Sequence, residues 1–212
     1  MLTRWYVSGS PETSLIDPPP TRTLTTAPTQ PEDVEYELLG WPADGPTLRL
    51  DHERFAYAGK FVMSSTGKAV AREDGEIVAA VAFNEDRTDP ATLWLRYVTV
   101  RQDRRGDGIG PRLCAFARDR ALDRGYDRLR IAVNNPFAYD ALHRADFGFT
   151  GERTGLAELV LEYPAPADGD DRYRTGLERY ADRELTDEER EFLEARLEQG
   201  RPEPIESPAD EG

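Results

Sequence analysis

The 212-residue chain has a single cysteine, Cys114, and only two lysines, Lys60 and Lys68. One cysteine excludes an intrachain disulfide and a cysteine-based zinc cluster, so no metal is expected from this source. It also fits a cytoplasmic compartment. No apolar run approaches the roughly 20 residues that a membrane helix needs, and the opening "MLTRWYVSGSPETS" lacks the apolar core of a secretory signal. A soluble chain with no membrane partner is expected. Every other one of the 27 basic residues is arginine, against 41 acidic residues and a formal charge of -14. The deficit of basic surface argues against nucleic acid and anionic membranes as partners, because both are met by displacing counterions or pairing with headgroups. Acid excess with lysine depletion resembles the composition of proteins from a halophilic, high-salt cytoplasm. In such a solvent surface charges are screened beyond roughly 3 Å, so the acidity reports the medium rather than a ligand.

The length suits one domain of ordinary size with appendages. Residues 8–32 are dense in Pro, Thr and Ser and poor in large apolar residues, which predicts an extended or disordered arm over residues 1–32. The preceding "RWYV" is the one part of it able to dock as an edge strand. Within residues 34–65 the stretch "TLRLDHERFAYAGKFVM" reads as a helix carrying Leu50, Phe55 and Phe61. "KAVAR" and "EIVAAVAFN", joined by the turn-like "EDG", read as an antiparallel hairpin. "ATLWLRYVTV" is apolar on both faces, Leu93, Leu95 and Tyr97 against Trp94, Val98 and Val100, which predicts a central strand covered on both sides.

Leu113, Phe116, Ala117 and Ala121 recur at helical spacing after Pro111 and before Gly125. "RLRIAVN" then reads as a short buried strand, Asn135 and Pro136 open a second helix, and "FGFTGE" and "LAELVLEY" supply two more strands. The sum is an α/β domain over residues 33–164 with a mixed central sheet of about six to seven strands flanked by helices. Residues 165–212 read as an acidic linker and a charged helical tail. There Thr186 and Glu189 form a capping box, and Phe192, Leu193 and Leu197 give a narrow stripe that packs on the domain or a partner, or stays solvated.

The segment "VTVRQDRRGDGIGPRL" joins the central strand to the next helix through Gly106, Gly108 and Gly110. A strand that ends in a glycine loop opening a helix offers free backbone N–H groups and the positive end of the helix dipole to an anion. A P-loop needs Lys and Ser or Thr after its last glycine, where Pro111 and Arg112 stand. A dinucleotide fingerprint needs a glycine three residues beyond its second, and that spacing is absent. Arg101, Arg104, Arg105 and Arg112 outnumber Asp103 and Asp107, a local basic excess in an acidic chain. Arg105, Gly108 and Gly110 match the pyrophosphate loop of the GNAT N-acetyltransferase superfamily, whose pattern is Arg or Gln, two residues, Gly, one residue, then Gly or Ala. The similarity continues in Val100 before the loop, Ala121 and Gly125 in the helix, Asn134 or Asn135 after the next strand, and Gly148-Phe149.

The resemblance implies a GNAT-like fold with acetyl-CoA as cosubstrate. It implies that the pyrophosphate is held by residues 105–110, including Gly106 and Ile109, with the pantetheine along Val98, Thr99 and Val100 near Asn134 and Asn135. The activity implied is transfer of an acetyl group by direct attack of a primary amine on a small molecule or peptide, with a homodimer as one possible assembly. Many members carry a Tyr on the second helix that protonates the departing thiolate. Here Leu142 is followed by His143, and Tyr139 lies four residues earlier on the same helix face. Both are candidate acids. His52, Glu85 and ordered water remain open as the base. A non-catalytic acyl-CoA-binding regulatory or interaction module is the alternative reading.

Overall fold

The computed structural model describes residues 34–155 and 157–208. The arm over residues 1–32, with its "RWYV" stretch, lies outside the described residues. Seven strands, β1 (Glu35–Gly40), β2 (Gly67–Glu73), β3 (Glu76–Glu85), β4 (Thr92–Val100), β5 (Arg128–Val133), β6 (Gly148–Thr154) and β7 (Glu158–Tyr163), form one mixed sheet. Their order is β1-β2-β3-β4-β5-β7-β6, in which β4 and β5 alone run parallel to their neighbour. Helices α1 (Ile109–Asp123) and α2 (Pro136–Arg144) connect β4 to β5 and β5 to β6, and α3 (Gly169–Ala181) and α4 (Asp187–Gln199) follow the last strand.

The β2–β3 hairpin turns at Asp74 and Gly75, both at positive φ, the conformation that a two-residue turn between right-twisted strands requires. β4 departs from the expected two-faced strand. Phe83 pairs with Leu95 whereas Ala82 pairs with Tyr97, so Arg96 is an inserted residue, a β-bulge that moves the side-chain alternation by one. Leu93 and Leu95 before the bulge and Val98 and Val100 after it therefore join the same main core. Tyr97 instead joins a smaller cluster with Phe61, Val70, Ala80 and Ala82 on the opposite face. Apolar residues on both sequence parities reflect a change of phase, with only the upper part of the opposite face covered.

β1 has no counterpart in the expected element order, although Tyr36 and Leu38 alternate with Glu35 and Glu37 as on a half-covered strand. The helix expected over residues 47–63 is also absent. That stretch is a series of turns around one 3-10 turn, Ala58–Lys60. Leu50, Phe55 and Phe61 are spaced by five and six residues, which does not bring them to one helix face. The segment is held by Leu48 N–H donating to the Phe61 carbonyl at 3.0 Å and Gln102 N–H donating to the Arg54 carbonyl at 3.0 Å. Lys68 lies fully buried beneath it, its ammonium donating to the Met63 and Thr66 carbonyls at 2.7 and 2.9 Å.

Local signals hold elsewhere. The Asn135 side chain accepts from Ala138 N–H at 2.9 Å to cap α2, with Pro136 at its first position, and Thr186 and Glu189 form the capping box of α4. The charged tail is integrated rather than appended. α3 places Tyr173, Leu177 and Tyr180 in the main core at helical spacing, and α4 adds buried Leu193 while Phe192 stacks on Phe137 of α2 at 4.6 Å. Asp140 of α2, 3% exposed, ties the three helices together. It accepts from the Tyr173 hydroxyl at 2.9 Å and pairs with Arg144 and Arg196, each at 3.0 Å. A buried carboxylate is tolerated only with such partners.

Candidate functional site

The parallel pairing of β4 with β5 runs from Thr92↔Arg128 to Leu95↔Ile131 and then stops. Beyond it β4 continues to Val100 and β5 to Val133, leaving a gap between the two strand ends at the centre of the sheet. Arg101 N–H donates to the Val78 carbonyl at 2.8 Å. In an antiparallel ladder the residues facing one neighbour alternate, so Thr99 also turns its backbone to β3, while Val98 and Val100 turn theirs into the gap. Of the three residues expected to line it, two present backbone groups there.

At the head of the gap β4 passes through a 3-10 turn, Gln102–Arg104, into residues 105–108 and α1. Gly106 and Gly108 have φ of +91° and +75°, where an L side chain is strained, and Gly108 stands at the N-cap without any side-chain cap. The N–H groups of Ile109 and Gly110 have no intrahelical partner by position, and Pro111 has none to offer. A Cβ on Gly110 would sit 3.2 Å from Val100 Cγ2, so this glycine lets the helix start against the strand end. The loop thus offers several backbone donors and the positive end of a helix, an anion site in form.

The arginines around the loop divide into two pairs. Arg101 pairs with Asp103 at 2.7 Å, Glu76 at 3.1 Å and Glu73 at 3.8 Å. Arg104 pairs with Glu73 at 2.9 Å and Asp107 at 3.1 Å. These two brace the loop on the β2–β3 hairpin and supply little excess charge. Arg105 is exposed and forms no ion pair among the described residues, and the Arg112 guanidinium donates to the Gly108 carbonyl at 3.3 Å. The cations left for an anion are Arg105 and Arg112.

Across the gap, Asn134 is exposed and Asn135 is committed to capping α2. The carbonyls of Val133 and Asn134 at this strand end accept from α3 and from the turn that follows it. The Tyr180 hydroxyl donates to the Val133 carbonyl at 3.2 Å and the Arg183 guanidinium to the Asn134 carbonyl at 2.9 Å.

Tyr139 and His143 are not in the gap. Both face α3, Tyr139 wholly buried and His143 1% exposed. The Tyr139 hydroxyl donates to the Tyr173 and Arg172 carbonyls at 3.2 and 3.3 Å. The His143 ring packs 4.7 Å from those of Tyr139 and Tyr173, and neither of its nitrogens has a hydrogen-bond partner among the described residues. Burial, with the Arg201 guanidinium adding to it, holds the imidazole down to about 3 from its usual 6.5. Burial likewise raises the Tyr139 hydroxyl far above the usual phenol range. A ring that stays neutral and sealed from the gap cannot deliver a proton near neutral pH, which corrects the expectation of an acid at either position. Helical spacing puts Ala138 and Ala141 with Ala145, whose carbonyl accepts from Arg118 of α1 at 2.9 Å, so α2 turns small residues toward α1. Glu85 is also displaced: it pairs with Leu93, roughly 16 Å down β4 from Val98 at 3.3 Å per residue, and accepts from the Tyr126 hydroxyl at 2.7 Å. His52 is exposed in the β1–β2 segment, beside a 590 Å³ depression lined by Thr47, Arg49, Leu50 and Val62. Sequence patterns missed Tyr180, whose helical spacing with Tyr173 and Leu177 in α3 was the available signal, and Arg183, which lies in the turn after α3 and carries no local signal.

Among the described residues no helix is long and apolar enough to cross a membrane, and no group of His, Cys, Asp or Glu is arranged to hold a metal. The profile of the acetyltransferase (GNAT) family matches residues 31–149. No curated protein matches the chain. Solved structures similar to it include an N-acetyltransferase from Staphylococcus aureus, 20% identical, with 46% of this chain and 66% of that one covered and a TM-score of 0.40. A PaiA N-acetyltransferase from Thermoplasma acidophilum in complex with coenzyme A is 15% identical over 45% of this chain and 58% of that one, with a TM-score of 0.40. An acetyltransferase from Bacillus subtilis in complex with CoA is 15% identical over 61% of this chain and 97% of that one, with a TM-score of 0.47. The chain spans less than two thirds of the length of the first two.

Proposed function

The chain belongs to the GNAT acetyltransferase family, and from that premise we propose that it transfers an acetyl group from acetyl-CoA to a primary amine by direct attack. The observation that carries this reading is the pairing of a helix-opening glycine loop with an unzipped strand edge beside it. The donors of residues 106–110, with Arg105 and Arg112 nearby, suit a pyrophosphate. The backbone groups of Val98 and Val100 suit the amides of a pantetheine arm, because an unpaired strand edge accepts an extended guest at little cost.

The thioester supplies an activated acyl carbon. Residues of β4 hold the arm extended, and a free N–H from Val98 or Val100 is the donor available for the oxygen on which charge develops as the amine attacks. As the new C–N bond forms and the C–S bond breaks, the amine loses one proton and the thiolate gains one. With Tyr139 and His143 sealed under α3, solvent is the carrier of both. The same burial favours a second reading, an acyl-CoA-binding module without turnover. The chain is expected in the cytoplasm, and the acceptor is a small molecule or peptide bearing a primary amine.

The test is titration with CoA followed by an assay of CoA release from acetyl-CoA over polyamines, aminoglycosides, amino acids and peptide N-termini. Binding with amine-dependent release supports the enzyme; binding without release from any amine supports the module. No binding of CoA would falsify both.

A further inference from the structure

We propose that the acceptor is an amine that also carries an anionic group, and that Arg96 binds that group while Lys60, over the neighbouring Tyr97, adds to the attraction. The inference rests on the acetyl-transfer reading of the gap and names a substrate class for it. One side of the sheet at the gap is filled by α1 and α2, whose Ile109, Leu113, Phe116 and Leu142 belong to the core on which Val98 and Val100 pack. An acceptor therefore approaches from the opposite side. There the bulge decides what it meets. Leu95↔Ile131 is the last pair between β4 and β5, so Arg96 is the first residue of β4 beyond the ladder. Leu95 and Val98 both turn into the main core, and the inserted residue between them leaves Arg96 and Tyr97 both projecting to the open side.

The cations on this side lack carboxylate partners. The Arg96 guanidinium lies 5.0 Å from the centre of the Trp94 ring and donates to the Asn84 amide oxygen. The Lys60 ammonium stands 5.7 Å from the centre of the Tyr97 ring, which lies 6.2 Å from that of Tyr57. Arg96 and Lys60 are exposed, and neither forms an ion pair among the described residues. Nearby carboxylates are committed. Asp86 accepts from the Trp94 indole at 2.6 Å and the Thr88 hydroxyl at 2.7 Å, and Glu152 and Glu162 pair with Arg130 at 2.8 and 3.3 Å. Asp86 attracts Arg96 from a distance and Arg87 repels it, so the two offset. In a chain of formal charge -14, unneutralised cations beside the gap draw an anion. Stacking on Trp94 and the Asn84 contact hold the guanidinium in place while leaving N–H groups free, and such a fork grips a carboxylate or a phosphate with two parallel bonds.

The experiment compares CoA release from acetyl-CoA by the full chain with amines paired to differ in the anion alone: β-alanine against its amide, and phosphoethanolamine against ethanolamine. The parent is expected to favour the anionic member of at least one pair by about tenfold or more in kcat/KM, the range of a charge-assisted hydrogen bond. The pair with the larger ratio tells carboxylate from phosphate. Arg96→Gln should bring that ratio close to one and Arg96→Glu should reverse it, whereas Lys60→Gln lowers it about two- to threefold, as for an exposed charge. A role of Arg96 confined to holding the bulge would change both members of a pair alike and leave their ratio in place. Equal rates or a preference for the neutral member in both pairs, or a ratio unmoved by Arg96→Gln, overturns the proposal. A chain that binds CoA yet releases none with any amine fails at the acetyl-transfer reading itself and takes the proposal with it, before any pair is compared.

Discussion

The Tyr139 hydroxyl occupies the space that a side chain on Gly176 would need: a Cβ built there would overlap it. Two helices from different parts of the chain, α2 and α3, meet at this point with no room for a methyl group. Gly176→Ala is therefore expected to destabilise the fold by about 1–3 kcal/mol, the usual cost of overpacking. Tyr139→Phe in the same chain should return part of the loss by removing the oxygen. Urea unfolding of the two single variants and the double variant checks this, and additive losses would show that the two residues do not compete for the space.

Gly108→Ala tests the loop. The added methyl meets only the mobile end of Arg112, 2.7 Å away, but φ of +75° strains any L side chain. The N-cap then shifts, and the donors of Ile109 and Gly110 lose their aim. CoA affinity should fall about tenfold or more, a change of about 1.4 kcal/mol, while the unfolding temperature moves by a few degrees. Equal CoA affinity in variant and parent would remove the loop from the site.

His143 predicts how stability responds to acid. Its folded value, about 3, lies below its ordinary 6.5, so the unfolded chain takes up a proton that the folded chain refuses. The stabilisation is complete above pH 6.5 and is lost as pH falls from there toward 3. At pH 4.5 the loss amounts to about 2–3 kcal/mol relative to pH 7.5. His143→Leu fills similar space and strands no polar partner among the described residues, because neither ring nitrogen has one there. The variant should match the parent at pH 7.5 and exceed it at pH 4.5 in urea midpoint. Its turnover, if the chain is an enzyme, should stay within about threefold of the parent, whereas removal of a general acid costs roughly a hundredfold or more.

Asp140→Ala leaves Arg196 and Tyr173 without their shared buried acceptor. Breaking a buried pair in this way costs about 3–5 kcal/mol. Limited proteolysis should then cut between α3 and α4 well before the sheet, and a variant as resistant as the parent would show that packing of Phe192 on Phe137 alone holds α4.

The elements most legible in the sequence were those with a local chemical signature: the Asp74-Gly75 turn, the Asn135 cap, the Thr186–Glu189 box and the glycines of the loop. Each needs only its neighbours to be read. The features that escaped depend on residues far away in the chain. The bulge at Arg96 is defined by the pairing partner of β4, so the strand read as apolar on both sides. The turns over residues 47–63 are held by Gln102 and by a buried lysine beneath them. Tyr139 and His143 share a helix face, as the spacing predicts, but which face meets the gap is decided by α3, which begins only at Gly169, beyond two further strands. The candidate site was therefore legible in its glycine loop and illegible where it depends on which side chains the last helices cover.

The brace between the loop and the hairpin bears on the speed of association. Arg101 and Arg104 lie 9% and 13% exposed, and their shared partner Glu73 11%, so these ion pairs are screened less by salt than surface pairs are. The loop consequently takes its shape when the chain folds and is already in place before an anion arrives. On the coenzyme reading, an anionic guest would meet a socket already shaped, with no loop to order, and the entropy of ordering that opposes many phosphate-binding events would be absent. Capture should proceed in a single kinetic phase whose rate rises linearly with ligand concentration, and it should persist at salt concentrations that would loosen a loop held by exposed charges.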